Sequence, residues 1–280
     1  MTTYCRQSGV DAAPPPPEPP ADDDTRGVIG WAKRAVARSW VIEIGVIVVL
    51  AIAYNIIRGF PHTAELVPYV HARAILDAEG AIFHHLELPL NEWMTTVPVI
   101  AVAACYYYAV LHYVATPAVF LLSRRQGGWL YWRGYLALII ASAIALAVYA
   151  LYPVAPPRLV PGLPIVDVMR EFSDYGWWGS AASAPRGIGD ATNQFAAMPS
   201  MHFGWALWCG IQMWGFQTKV WRALAILYPS VLAVVVLATG NHFLLDIIGG
   251  ALCVAIGYAV AQVARRYVDA RRRAPTLAGT

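Results

Sequence analysis

Charge is what this sequence is short of. Asp, Glu, Lys and Arg make up 13% of its 280 residues, where a soluble globular domain carries roughly a quarter. With 58% apolar residues and a mean hydropathy of +0.50, an ordinary soluble domain is excluded and a membrane protein comes first. Cysteine is scarce as well. The four stand at 5, 105, 209 and 253, three of them inside apolar runs where a free thiol behaves as a small hydrophobe, and their spacing implies neither a disulfide framework nor a zinc site. No basic stripe of the kind nucleic acid requires is present. No internal repeat supports an inverted-repeat transporter, and no basic n-region with a small-residue cleavage site marks a signal peptide. The net charge of +3 comes from Lys and Arg at segment ends, which suits anionic lipid headgroups.

What is there is a series of apolar runs. A spanning helix needs about 20 mostly apolar residues, and the runs 41–57, 97–122, 134–152, 201–216, 221–239 and 243–264 predict an all-α bundle of six spans. Residues 1–27, with Pro14 to Pro17 and the acidic Asp22, Asp23 and Asp24, read as a disordered cytoplasmic tail, 28–266 as the catalytic membrane domain and 267–280 as a basic cytoplasmic tail. Of the 20 Lys and Arg, only Arg58, Arg73, Arg158, Arg170 and Arg186 fall in the first, third and fifth connections between spans. That asymmetry places both termini in the cytoplasm. Residues 60–96 alternate apolar positions at helical period with Asp77, Glu79, Glu87 and Glu92, predicting an amphipathic helix pair on the outer interface. Residues 153–199 are rich in Pro, Gly and Ser and read as a functional outer loop.

Polar residues gather at three places on that outer side: Tyr152 to Arg158, Met198 to His202 and Gly240 to Asp246. His242 and Asp246 are i and i+4, so on a helix the carboxylate can accept the imidazole N–H, leaving the other ring nitrogen as nucleophile or base. Pro199 and Ser200 suit a first helical turn, whose N–H groups form an anion site, with His202 beside it as acid or base. Arg158, set by Pro156 and Pro157, can supply a bidentate clamp. Together these are the parts of metal-free phosphoryl transfer. Glu43 and His112 are polar inside apolar runs, where each could line a substrate path or make a structural hydrogen bond. His84 and His85 lack metal-ligand spacing and carboxylate partners. The 11 Trp and 15 Tyr suit aromatic belts, and Gly249, Cys253 and Gly257 form a small-residue packing seam.

Pro156-Pro157-Arg158, Pro199-Ser200-Met201-His202 and His242-x-x-x-Asp246 resemble the three motifs of the type 2 phosphatidic acid phosphatase superfamily, which also includes the vanadium haloperoxidases. The resemblance spans about 60–265. It implies His242 as the nucleophile that forms a phosphohistidine, Asp246 as its orienter, His202 as general acid, and Arg158 with Ser200 as phosphate binders. The phosphatase pattern has Lys where this chain has Leu151, Arg where it has Val236 and Gly where it has Met201. With the acidic amphipathic stretch, this is more similar to the inositol phosphorylceramide synthase branch and its bacterial relatives, which move a phosphorylated headgroup between lipids.

The expectation is therefore a multi-pass enzyme of the bacterial plasma membrane with an outward-facing site. It would take a phospholipid or other phosphorylated lipid as donor and inositol or another hydroxylated group as acceptor, with no metal, organic cofactor or nucleic acid. A lipid phosphatase releasing inorganic phosphate and a non-enzymatic lipid carrier or scaffold are the alternatives. The sequence leaves the oligomeric state open.

Overall fold

The computed structural model describes residues 40–50, 52–53, 56, 66–83, 85–178 and 194–273, with side chains through residue 270. The tail 1–27, residues 60–65 and His84 lie outside the described residues. The chain divides into the units Met1–Val46 and Ile47–Thr280. Of the first, only residues 40–46 are described; they begin helix α1 (Trp40–Leu50) and include Glu43.

The second unit is helical among its described residues. Helices α2 (Val67–Phe83) and α3 (Glu87–Thr96) precede α4 (Pro98–Gln126) and α5 (Gly128–Leu151); the short α6 (Val168–Glu171) lies in the connection to α7 (Met201–Trp214), α8 (Lys219–Ala238) and α9 (Leu244–Arg273). Among the described residues, four helices are long and apolar enough to cross a membrane: Pro98–Gln126, Gly128–Leu151, Lys219–Ala238 and Leu244–Ala270. They fit an integral membrane protein. The run 41–57 falls on α1 and on residues 51, 54, 55 and 57, which are outside the described set. The run 201–216 becomes α7, whose 14 residues fall short of the ~20 of a span.

The short helix is the centre of the bundle. α7 packs against α4, α5, α8 and α9, and its polar atoms are tied to each side of that ring. Trp208 Nε1 donates to Gly134 O on α5 at 2.7 Å, and Gln212 Nε2 donates to the Tyr258 hydroxyl on α9 at 2.7 Å. Its contact with α8 is close because Gly210 faces the Ala225 carbonyl, which a Cβ would approach to 2.5 Å. Pro229, four residues on, has no N–H for that carbonyl, so a glycine opposite leaves room for the freed oxygen. The seam on α9 behaves as its composition predicts: a Cβ at Gly257 would lie 2.5 Å from Ala137 O of α5.

The helix pair α2 and α3 is present, but its acidic residues are not all on a wet face: Glu79 and Glu87 are both buried to 0% exposure. The 153–178 part of the long connection is packed rather than loose, with Val154, Ala155, Val168, Met169 and Trp178 fully buried. Trp178 donates its Nε1 to Met169 O at 2.9 Å, and Trp208 is 1% exposed, so these two tryptophans are core residues and not belt residues.

Candidate active site

Backbone hydrogen bonds join the three polar clusters before any side chain acts. Val154 N donates to Phe195 O at 2.8 Å and Ala197 N to Val154 O at 3.3 Å, laying the first cluster beside the strand-like approach to the second. Arg158 N donates to Gly240 O at 3.0 Å, and Ser200 N to Asp246 O at 2.8 Å. Gly240 has φ +73°, the left-handed region that glycine enters without strain, and a Cβ there would sit 2.7 Å from Ile165 Cγ2.

His242 is 4% exposed and Asp246 0%. Nδ1 of His242 lies 2.9 Å from Ala197 O and 3.4 Å from Asp246 Oδ2. A carbonyl can only accept, so Nδ1 carries the proton and Nε2 keeps its lone pair. That Nε2 is buried and makes no hydrogen bond to a described residue. Asp246 Oδ2 also accepts from Phe243 N at 2.8 Å; the carboxylate thus closes the N-terminus of α9, where negative charge is stabilised.

Ser200 is the N-cap of α7, its Oγ accepting from Phe203 N at 3.4 Å. Two residues on, the His202 ring stands 5.8 Å from that of His242. Tyr108 stacks on His202 at 4.3 Å, and His112 meets it edge-on at 4.5 Å. His112 makes a structural hydrogen bond, Nδ1 to Tyr108 O at 3.1 Å, and is also a wall of the site. The Arg158 side chain, 4% exposed, puts Nε 3.3 Å from Asp167 Oδ2 and donates from Nη1 to Asn241 Oδ1 at 2.6 Å. The residue before His242 therefore aims the guanidinium.

Several polar residues at this end carry no motif signal. Asn91 on α3 donates to Val166 O at 2.9 Å and Ala238 O at 2.8 Å and accepts from Val166 N at 2.8 Å, pinning the connection to the end of α8. Glu79 accepts from Leu245 N in the first turn of α9. Burial pushes the Glu79 carboxyl up to about 8; the Leu245 N–H opposes this, while Glu87 and Asp246 reinforce it. Helical periodicity does contain a signal for Glu79, because it follows Ala72, Ile75 and Leu76 at the spacing of one face, and those three are buried. Glu87, Asn91 and Met94 share the buried face of α3 in the same way.

A protein-family model described as the PAP2 superfamily matches residues 73–260. No curated protein and no solved structure matches the chain.

Proposed function

Because the chain belongs to the PAP2 superfamily, whose members are generally phosphatases or phosphotransferases, we propose that it is a membrane lipid phosphotransferase. It moves a phosphorylated headgroup, inositol phosphate among the candidates, through a phosphohistidine on His242. The observation that carries this reading is the protonated Nδ1 of His242 between Ala197 O and Asp246, with a buried, unbonded Nε2.

In the first half-reaction Nε2 attacks phosphorus, an N–P bond forms and the P–O bond to the departing lipid oxygen breaks. His202 gives that oxygen its proton. In the second half-reaction the acceptor hydroxyl attacks phosphorus, the N–P bond breaks and the hydroxyl proton passes to His202, restoring both histidines. Asp246 stabilises the imidazolium character that develops on His242, and Arg158 with the capped turn at Ser200 holds the phosphate oxygens.

Val236 stands where the phosphatase pattern has a cation. It is fully buried, and its carbonyl accepts from His242 N at 3.2 Å, so no charge enters the site from this position. Arg158 is the motif cation that remains, and with Asp167 beside it the site favours a phosphodiester over a dianionic monoester. In the membrane arrangement that suits this reading, six apolar segments cross a bacterial plasma membrane with both termini cytoplasmic and α2 and α3 against the outer surface. Tyr108, beside His202, lies about ten residues into α4, or ~15 Å from its start. The site is then set below the outer end of the bundle under α2, α3 and residues 153–178.

The test is incubation of the purified chain with a panel of phospholipids, with and without inositol, followed by mass spectrometry of lipid and aqueous products. Transfer from a diester lipid is expected. Faster release of inorganic phosphate from phosphatidic acid than any transfer would overturn it in favour of a phosphatase.

A further inference from the structure

The amphipathic helix α2 reaches the reactive pair through one side chain. Glu79 is completely buried, and its Oε1 accepts from the backbone N–H of Leu245, a residue between His242 and Asp246. First-turn N–H groups have no partner inside their own helix. Asp246 supplies one from within the helix, at Phe243 N, and Glu79 supplies the next from another helix. Facing Glu79 is a second buried carboxyl, Glu87 at 0% exposure; Glu79 Oε2 and both Glu87 oxygens make no hydrogen bond to a described residue. Two buried carboxyls that face each other repel when both are charged, so the pair favours one of them protonated. The charged groups facing Glu79 are Glu87 and Asp246; His85, at the corner into α3, has Nδ1 3.7 Å from Glu87 Oε1, and His242 is paired with Asp246. On α2 itself, His71 and Arg73 bond away from the pair, to the Pro153 and Pro161 carbonyls.

We propose that Glu79 is a positioning residue for His242 and Asp246, holding the first turn of α9 through the Leu245 N–H as long as Glu79 and Glu87 are not both charged. The inference rests on the reading of His242 as nucleophile. With one of the two carboxyls protonated and so neutral the repulsion is absent, and Glu79 stays on Leu245 N. When that proton is lost, two like charges meet in a buried site and repel. Glu79 then withdraws and the first turn of α9 loosens, moving Asp246 away from His242 Nδ1. Loss of the proton belongs to the alkaline side, since Glu79 titrates at about 8.

Vanadate is the probe, because it takes the five-coordinate geometry of phosphoryl transfer and tests the site whichever lipid is the substrate. Its affinity for the full chain in detergent micelles is measured by calorimetry at about pH 7 and about pH 9, either side of that titration. Glu79→Ala should weaken binding about tenfold at the lower pH, short of the ~10²-fold that a 1 Å misplacement can cost. Glu79→Gln keeps an oxygen for Leu245 N and should restore native affinity at the lower pH. It should then lack the native protein's extra loss at the higher pH, vanadate's own titration cancelling in the comparison. A Glu79→Ala protein that binds as the native one does overturns the proposal. So do coincident pH profiles for Glu79→Gln and the native chain, a result that remains decisive if the alanine variant does not fold. His242→Ala separates the two levels: if it binds vanadate normally, or if the native chain binds none, the nucleophile reading falls and this inference with it. If His242→Ala abolishes binding while the Glu79 variants match the native chain, only this inference falls.

Discussion

The two halves of α9 are built on opposite principles. Its first turn is held by polar groups from residues far away in the chain: Ala197, Ser200, Glu79 and, through Asn241, Arg158. Its later turns are held by the absence of side chains, with Gly250 against Ser200 O and Gly257 against Ala137 O. Toward its far end Arg265 makes only an exposed pair with Asp269, at 3.4 Å, and a cation–π contact over Trp129 at 4.6 Å. A helix start leaves N–H groups that must be satisfied from outside, so it can collect carboxylates and anions. A helix interior has spent its backbone groups and can offer only shape. The candidate site therefore sits at the start of α9 and the packing along its length.

The hardest test of that contrast is at the start. His242→Ala and His202→Ala should each lower turnover of the diester lipid by at least ~10²-fold with little change in folded protein by circular dichroism. The double variant should be no worse than the sum predicts and by rate far better, because both groups serve one transition state. A dispensable His242 would break the comparison. Smaller, at about tenfold, is Arg158→Lys. It keeps the charge but loses the fork that reaches Asn241 and Asp167, and one hydrogen bond to a charged group is worth about 1.5–3 kcal/mol; kcat/KM on the same lipid measures it.

The same substitution at two places on one helix sharpens the contrast further. Gly250→Ala and Gly257→Ala both force a methyl onto a carbonyl and should each cost about 1–3 kcal/mol of stability, as overpacking does. Only Gly250→Ala, pressed against the cap of α7, should also slow turnover; thermal melting and rate assays on both variants decide. As a reference, Arg265→Ala removes a pair whose side chains are 42% and 45% exposed together with the contact over Trp129, and should change stability by no more than ~1 kcal/mol.

A separate effect is expected in the pH dependence of the melting temperature. Glu79 is raised from 4.5 to about 8, so the folded state holds its proton more tightly than the unfolded one. Its contribution to stability is complete below about 4.5 and is lost as pH rises through about 8. Glu79→Gln should flatten that slope, and an unchanged slope would assign it to other groups.

The four long spans were legible because apolar length is a local property, and His242, Asp246, His202, Ser200 and Arg158 stood out because polar residues next to apolar runs are costly to keep. Periodicity also predicted the pair α2 and α3. It did not show that Glu79 and Glu87 turn inward, since an acidic residue on an apolar face looks like an interfacial one until a partner is in place. His112 left two readings open from sequence for the same reason: its hydrogen bond to Tyr108 O is local, whereas its contact with His202 depends on how α4 crosses α7. The sequence by itself determined the helical class, the membrane-scale apolar lengths and the polar side chains that form the candidate site, all properties of residue type and spacing within one segment. Only the tertiary structure decided that α7 is the enclosed centre of the bundle, that Nδ1 of His242 is the protonated nitrogen and that a carboxyl from α2 caps α9. Each of those depends on which backbone groups meet across more than 40 residues of chain, from Ala197 to His242 and from Glu79 to Leu245, and no local pattern encodes such a meeting.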